Sequence, residues 1–242
     1  MSPKTWKVTF HIYRQKGEQK PYYQDFLLDV NPEEYVLDGI ERIWAFHDRT
    51  LTYRHACHHS TCGACGMRVN GVEKLTCITP IHSVVKNDGK ILVEPLRNFP
   101  VQSDLVVDMG VFFQNLEMAH FSSVTPLKDA KLPKEKLTDC PEENYERLVD
   151  CLECGMCVSA CPSALTSADY YGPAMIAATQ HEFQHSQDRS LLTLADCHNG
   201  AWRCHSAFEC TEVCPSNVDP GRRIMELRRL MLGNRIRRLF GR

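Results

Sequence analysis

The chain has 242 residues, 43% of them hydrophobic and 24% charged, with a formal net charge of −2. That balance fits a globular protein with one or two cores and argues against a nucleic-acid binder, which needs a basic excess. No run approaches the roughly 18 apolar residues of a membrane span, and the opening residues lack the apolar stretch of a secretory signal.

Apolar Trp6, Val8, Phe10 and Ile12 alternate with polar Lys7, Thr9 and His11, which predicts a half-buried strand. A turn at Lys16-Gly17-Glu18 leads to a second strand over 22–30, so the pair reads as a hairpin. Asn31-Pro32 opens a helix with Leu37, Ile40, Ile43 and Trp44 on one face. A Gly-rich loop over 54–66 follows. Short strands are expected at 67–69 and 72–77, joined by the tight turn Asn70-Gly71, with a last strand at 90–93.

Near residue 104 the texture changes, which divides the chain into 1–104 and 105–242. Residues 105–116 read as a helix. Residues 121–144, rich in Lys, Glu, Asp, Pro and Thr, read as an exposed excursion. Short helices between cysteines are expected beyond, with few strand signals. The fold class is therefore α+β, with a strand-rich first half and an α-helical second half.

Thirteen cysteines are an odd number, in a chain too long for a small disulfide scaffold and without a visible export signal. Reduced thiols free to bind metal are expected. Eleven of them fall into three sets. Cys57, Cys62, Cys65 and Cys77 read C-x4-C-x2-C plus a distant cysteine, the plant-type [2Fe–2S] spacing. Four soft thiolates suit two irons, and Gly63 and Gly66 allow the backbone to approach closely. The competing reading is a zinc site, although zinc knuckles usually show two short pairs. His58 and His59 are alternative ligands in the same loop.

Cys151, Cys154, Cys157 and Cys161, followed by Pro162, form a bacterial ferredoxin run. Cys204, position 207, Cys210 and Cys214, followed by Pro215, fit the same template, but position 207 is Ala207. In two-cluster ferredoxins the fourth cysteine of a run serves the other cluster. Crossed ligation then gives a [4Fe–4S] cluster Cys151, Cys154, Cys157 and Cys214. It leaves the other cluster only Cys161, Cys204 and Cys210, and so predicts [3Fe–4S]. The alternative is a fourth ligand from His205 or Glu209. Cys140 and Cys197 fit no template and read as ordinary thiols. Three clusters on one chain imply a conduit for single electrons.

With these motifs in hand, the chain resembles the iron–sulfur subunit of succinate dehydrogenase and fumarate reductase, the respiratory complex II family. The first half looks like the β-grasp of plant-type ferredoxins. The resemblance spans essentially the whole chain and is carried by CHHSTCGACG (57–66), NFPVQSDLVVD (98–108), CLECGMCVSACPS (151–163), YGPA (171–174) and WRCHSAFECTEVCP (202–215). It implies a partner flavoprotein subunit that oxidises succinate to fumarate at FAD. It also implies membrane-anchor subunits, a type of partner that can hold haem b, and a quinone as acceptor. The chain would lie peripherally on the cytoplasmic face of the bacterial inner membrane. The absence of a GxGxxG fingerprint fits such a division of labour.

The same resemblance places quinone contacts at Pro162, Ser163, His205 and Arg228. Imidazole can also exchange a proton near neutral pH. Ala164, Leu165 and Thr166 stand where ubiquinone-linked members usually carry tryptophans, which points to menaquinone. His58 stands where the family usually has Arg. Ala64 replaces a common Ser, which removes a hydroxyl that could tune the first cluster downstream of Cys62. Competing readings are a quinol:fumarate reductase running in reverse, another flavoprotein–quinone or heterodisulfide-type reductase, and a metal-stabilised interaction module. Residues 218–242 carry eight arginines against Asp219 and Glu226, with Ile224, Leu227, Leu230 and Met231 at helical spacing. A basic amphipathic helix of this kind suits an anionic membrane surface or a membrane-subunit face.

Overall fold

The computed structural model describes residues 5–120 and 150–240. The expected excursion at 121–144 and Cys140 lie outside the described residues.

β1 (Trp6–Arg14) and β2 (Tyr22–Val30) pair antiparallel from Trp6–Val30 to Arg14–Tyr22. Val8, Phe10 and Ile12 from β1 and Phe26, Leu28 and Val30 from β2 turn to one buried face, as the alternation predicts. α1 (Val36–Phe46) covers that face with Val36, Ile40 and Ile43. Gly39 lets the helix lie close, because a Cβ there would overlap the Phe10 ring.

Asn31-Pro32 starts a turn rather than the helix. Asn31 Oδ1 accepts the Glu33 amide at 3.1 Å, and Asp38 in the first turn of α1 accepts the Tyr35 amide at 2.9 Å. Trp44 leaves the apolar face expected for it. It is exposed, with the Arg49 guanidinium 4.2 Å above its ring.

β3 (Gly66–Val69) and β4 (Val72–Leu75) meet at Asn70-Gly71, where both φ angles are positive. The returning strand stops at Leu75, short of the expected Cys77. Thr76–Ile78 instead forms a 3₁₀ turn that swings Cys77 inward. α2 (Ile81–Val84) leads to β5 (Lys90–Glu94), which pairs parallel to β1 and antiparallel to β3. The mixed sheet runs β2-β1-β5-β3-β4.

Residues 105–116 do not form one helix. β6 (Val101–Ser103) and β7 (Val106–Val107) make a small hairpin around Asp104, whose φ is +47°, and α3 begins only at Gly110 (Gly110–Met118). The cause is Asp104. Fully buried, it accepts the amides of Gln15 (3.0 Å) and Thr52 (2.9 Å) and pairs with Lys16 Nζ (2.6 Å) and Arg14 Nε (3.2 Å). These bonds fasten the chain at 104 to β1 and to the loop before the first cysteines.

The second half contains α4 (Met156–Ala160), α5 (Pro162–Thr166), α6 (Pro173–Ser186), α7 (Arg189–Ala195), α8 (Glu209–Glu212) and α9 (Pro220–Phe240). Most are short, as expected, but α6 has 14 residues and α9 has 21. Ile224, Leu227 and Met231 of α9 are buried within the core that also holds Met175, Ile176 and Ala178 of α6. Ile224, Leu227 and Met231 therefore belong to the protein interior. This corrects the reading that offered these residues to a membrane surface; among the described side chains, Leu230 (40%) and Leu232 (51%) remain exposed. Among the described residues no helix is long and apolar enough to cross a membrane.

The halves dock through polar contacts. Asn98 Nδ2 donates to the Val158 carbonyl (2.7 Å) and lies 3.1 Å from those of Ser159 and Cys161, at the end of α4 where carbonyls lack helical partners. Ser159 Oγ donates to buried Glu73 (2.7 Å) and accepts the Arg97 amide (2.8 Å).

Candidate functional site

Cys57, Cys62 and Cys65 lie on the loop between α1 and β3, and Cys77 on the 3₁₀ turn after β4. The pairing of Gly66 with Leu75 sets Cys65 beside that turn, and Thr76 Oγ1 donates to the Cys65 carbonyl at 3.0 Å. Cys65 and Cys77 are buried, whereas Cys62 is exposed. Burial, then Cys65, push the Cys77 thiol up to about 12. Cys57 goes the other way. The His59 amide, and then that of Thr61, pull it down to about 6, with N–H···S distances of 3.5 and 3.3 Å.

Cys151, Cys154, Cys157 and Cys214 line one cavity, walled by Phe112, Leu116 and the small Ala174 and Ala177. Burial raises Cys154 to about 12, with Cys151 and Cys214 adding to the effect. Burial likewise raises Cys157, where Cys154, Cys151, Cys210 and Cys214 all contribute. Cys210 and Cys161 lie within electrostatic reach of each other and of Cys204, and burial lifts both. Thiols from runs far apart in sequence thus meet, Cys214 in the cavity of Cys151, Cys154 and Cys157, and Cys161 beside Cys204 and Cys210, with Cys210 also within reach of Cys157. Ala207 lies exposed on the loop between Cys204 and Cys210. His205 on that loop and Glu209 at the start of α8 are also exposed.

The donor sets fit iron–sulfur clusters on backbone grounds as well. Residues with positive φ recur two apart beside the cysteines: His58 and Ser60, Glu153 and Gly155, Ser206 and Phe208, Asn217 and Asp219. Such alternation turns successive N–H groups into an anion-binding concavity. The Ser206 amide reaches Cys204 Sγ at 3.3 Å, and the Val218 amide reaches Cys214 Sγ at 3.4 Å. Buried thiols such as Cys77, Cys154 and Cys157, which resist ionisation alone, and the amide donors at Cys57, Cys204 and Cys214 suit a group that accepts thiolates.

The first and second loops touch. A Cβ on Gly63 would come 2.8 Å from both Cys154 Cβ and the Leu152 carbonyl. Gly63 also has φ +69°, so two constraints reserve the position for glycine.

The four residues expected near a quinone are not equivalent. Pro162 is the first residue of α5 and is partly exposed, and the His205 side chain is exposed. Ser163 is buried. Its hydroxyl accepts the His205 amide at 3.0 Å and also contacts Cys161. Arg228 on α9 donates to the carbonyls of Ala201 (2.9 Å) and Cys204 and to Ser206 Oγ (3.1 Å), bracing the Cys204 loop. Cys197 is hydrogen-bonded to the Tyr171 side chain.

Sequence reasoning missed Tyr170. Its phenol is buried among Cys204, Cys161 and Cys210 with no conventional hydrogen-bond partner, and burial, followed by those thiols, drives its pKa far above the usual range. Its place immediately before the YGPA stretch was the available signal. Asn98 was also missed, although it opens the NFPVQSDLVVD stretch.

A ferredoxin-type sheet domain joined to a helical dicluster domain defines an iron–sulfur electron-transfer protein. Comparison with known proteins agrees. The 2Fe-2S iron-sulfur cluster binding domain family matches residues 9–114, and the 4Fe-4S dicluster domain family matches residues 147–218. The fumarate reductase iron-sulfur subunit of Mycobacterium tuberculosis is 36% identical over 220 residues, covering 86% of this chain and 85% of that one. The succinate dehydrogenase iron-sulfur subunit of Coxiella burnetii is 32% identical over 237 residues, covering 93% and 97%. A chain of the Mycobacterium smegmatis Sdh1 complex in the apo form superimposes with a TM-score of 0.81 at 26% identity, covering 96% of this chain and 98% of that one. The chain belongs to the family of iron–sulfur subunits of succinate dehydrogenase and fumarate reductase. It is the electron-transfer subunit of an oxidoreductase complex.

Proposed function

We propose that this chain carries electrons from a flavoprotein partner, which oxidises succinate at FAD, to a quinone held with membrane-anchor subunits on the cytoplasmic face of the membrane. The clusters, when bound, supply one-electron redox chemistry: [2Fe–2S] on Cys57, Cys62, Cys65 and Cys77, [4Fe–4S] on Cys151, Cys154, Cys157 and Cys214, and [3Fe–4S] on Cys161, Cys204 and Cys210. The observation that carries this reading is the meeting of Cys214 with Cys151, Cys154 and Cys157, and of Cys161 with Cys204 and Cys210, with a methyl group at position 207. Partly open Cys57 and exposed Cys62 give the flavoprotein an approach to the first site, and the touching loops at Gly63 keep the second site adjacent.

At the far end, the exposed His205 imidazole is the group suited to hydrogen-bond a quinone carbonyl and pass it a proton. Pro162 forms the neighbouring apolar surface. Ser163 and Arg228 act on His205 from behind, one through its amide and the other through the Cys204 and Ala201 carbonyls. The Ala164-Leu165-Thr166 stretch supports menaquinone. His205→Ala is expected to lower quinone reduction about 10²- to 10⁴-fold, the usual contribution of a positioned acid–base group. Reduction of a soluble dye at the flavoprotein should be unchanged. Equal quinone rates in the variant and the parent complex would overturn the assignment.

Redox titration followed by EPR on the intact complex tests the whole reading. Three centres are expected, with the three-iron signal visible in the oxidised state. Ala207→Cys is expected to add one iron per chain and replace that signal with one from a reduced four-iron centre at lower potential. Each ~59 mV of lowering reduces the equilibrium electron occupancy about tenfold, so quinone reduction falls with it. An oxidised spectrum unchanged by Ala207→Cys would refute the three-thiol site.

A further inference from the structure

Outside the cysteine groups, three potential metal ligands converge at the edge of the first loop. They are Glu41 on α1 and His55 and His58 on the loop. His55 Nδ1 is 3.0 Å from His58 Nε2, and Glu41 Oε1 is 3.2 Å from each ring nitrogen. A tetrahedral ion with bonds of about 2.0–2.1 Å has ligand–ligand edges of about 3.3 Å, so this triangle is already close to one tetrahedral face.

Hydrogen bonding accounts for one side of the triangle, the His55–His58 contact, and leaves Glu41 out. Glu41 Oε1 is shielded from solvent and accepts no hydrogen bond, although two ring nitrogens lie beside it. A shielded carboxylate oxygen without a donor is costly, and a cation at the centre of the three atoms would satisfy it. The two imidazoles stand nearly perpendicular, at 83° with centroids 5.0 Å apart. Tyr53 stacks on His55 at 5.2 Å and fixes its plane. The His58 backbone has φ +59°, a conformation it shares with Ser60 in the amide cradle of Cys57. The scaffold that serves the first cysteines therefore aims His58 as well.

We infer that Glu41, His55 and His58 form a binding site for a divalent transition metal, zinc above all, distinct from the cysteine sites. Two imidazoles and one carboxylate are a zinc donor set and a poor one for magnesium or calcium, which favour all-oxygen shells. Three protein ligands leave the fourth position to water. Both histidine side chains are partly solvent-accessible, at 38% and 44%, so the ion has an entry path.

The test uses the full chain with its clusters loaded. The protein is dialysed against chelator, equilibrated with zinc chloride alone, and its zinc and iron are counted. Glu41→Gln and His58→Arg are treated in the same way and compared at equal iron content. The parent is expected to hold one zinc per chain more than either variant, with affinity at least about 10-fold higher. Glu41 lies outside the cysteine loop, so Glu41→Gln keeps the comparison decisive if His58→Arg fails to load its first cluster. Equal zinc in parent and variants, or none in the parent, overturns the site.

Discussion

Replacing Cys214 by alanine is expected to remove the four-iron centre and leave the three-iron centre. Replacing Cys161 by alanine is expected to do the reverse. If each run served its own cluster, the two outcomes would be exchanged. The structural basis is that Cys214 faces the cavity of Cys151, Cys154 and Cys157, whereas Cys161 sits with Cys204 and Cys210. Alanine is the suitable substitution because a serine oxygen could still ligate iron. The effect is large for two reasons. A missing centre breaks the conduit, so succinate:quinone activity falls to background. The buried thiols left behind also lose the partner that offsets their burial, and metal binding of this kind is coupled to folding. Low-temperature EPR of each variant, with iron counted per chain, reads the outcome directly. A Cys214→Ala protein that loses the oxidised three-iron signal and keeps the reduced four-iron signal would refute the crossed arrangement.

The second large effect is expected at Asp104, whose partners are Arg14, Lys16, Gln15 and Thr52 rather than any cysteine. Asp104→Ala leaves the nearly buried Arg14 with Asp48 as its remaining acid and strips the acceptor from the Gln15 and Thr52 amides. Breaking a buried ion pair from one side costs about 3–5 kcal/mol. For a chain of this size that lowers the melting temperature by roughly 10 °C, measurable by circular dichroism on the cluster-loaded protein.

The pH dependence follows from the same carboxylate. Burial pushes the Asp104 pKa up, but hydrogen bonds from Lys16, Thr52 and Gln15 and the Arg14 charge outweigh it and hold the pKa below 3.8. Asp48 is depressed in the same direction, first by its bond to Arg14. A carboxyl depressed in the folded state contributes stability that is fully present above its ordinary pKa and is lost as pH falls through the folded value. Stability should therefore be level from neutrality to about pH 5 and drop below about pH 4. In Asp104→Ala the acid limb should be shallower. A Tm within 2 °C of the parent at pH 7, or an unchanged acid limb, would contradict this account.

Much of the fold could be read locally. The alternation through Trp6, Val8, Phe10 and Ile12, the Asn70-Gly71 turn and the cysteine spacings each report a short-range constraint, and the structure bears out the strands they predict. The failures share one cause, which is that the deciding partner is distant in sequence. Residues 105–116 carry an apolar run without clear period, and Asp104 is held by residues near 15 and 52 that no local window contains. The apolar stripe of α9 was legible, but its partner α6 was not, so a core contact read as a membrane face. The burial of Ser163 and its bond to the His205 amide, 42 residues away, were likewise beyond local reading. Tyr170 has no motif of its own and becomes notable only once three thiols gather around it. The Glu41 triangle joins a helix to a loop, and only His58 stood out in the sequence.

The return of Cys214 to the cavity of Cys151 and Cys154 also bears on biosynthesis. A ribosome delivers the chain from the N-terminus, so the earlier three thiols emerge well before the fourth. During that interval no pocket of four exists, and the nascent segment presents naked sulfurs open to oxidation or to the wrong ion. On the proposed ligation, delivery of inorganic sulfide and iron to this half would wait for a released or nearly finished polypeptide. On the same ligation, a stop placed after the sheet domain and before α8 would forfeit both helical-half centres at once and spare the four thiols of the first.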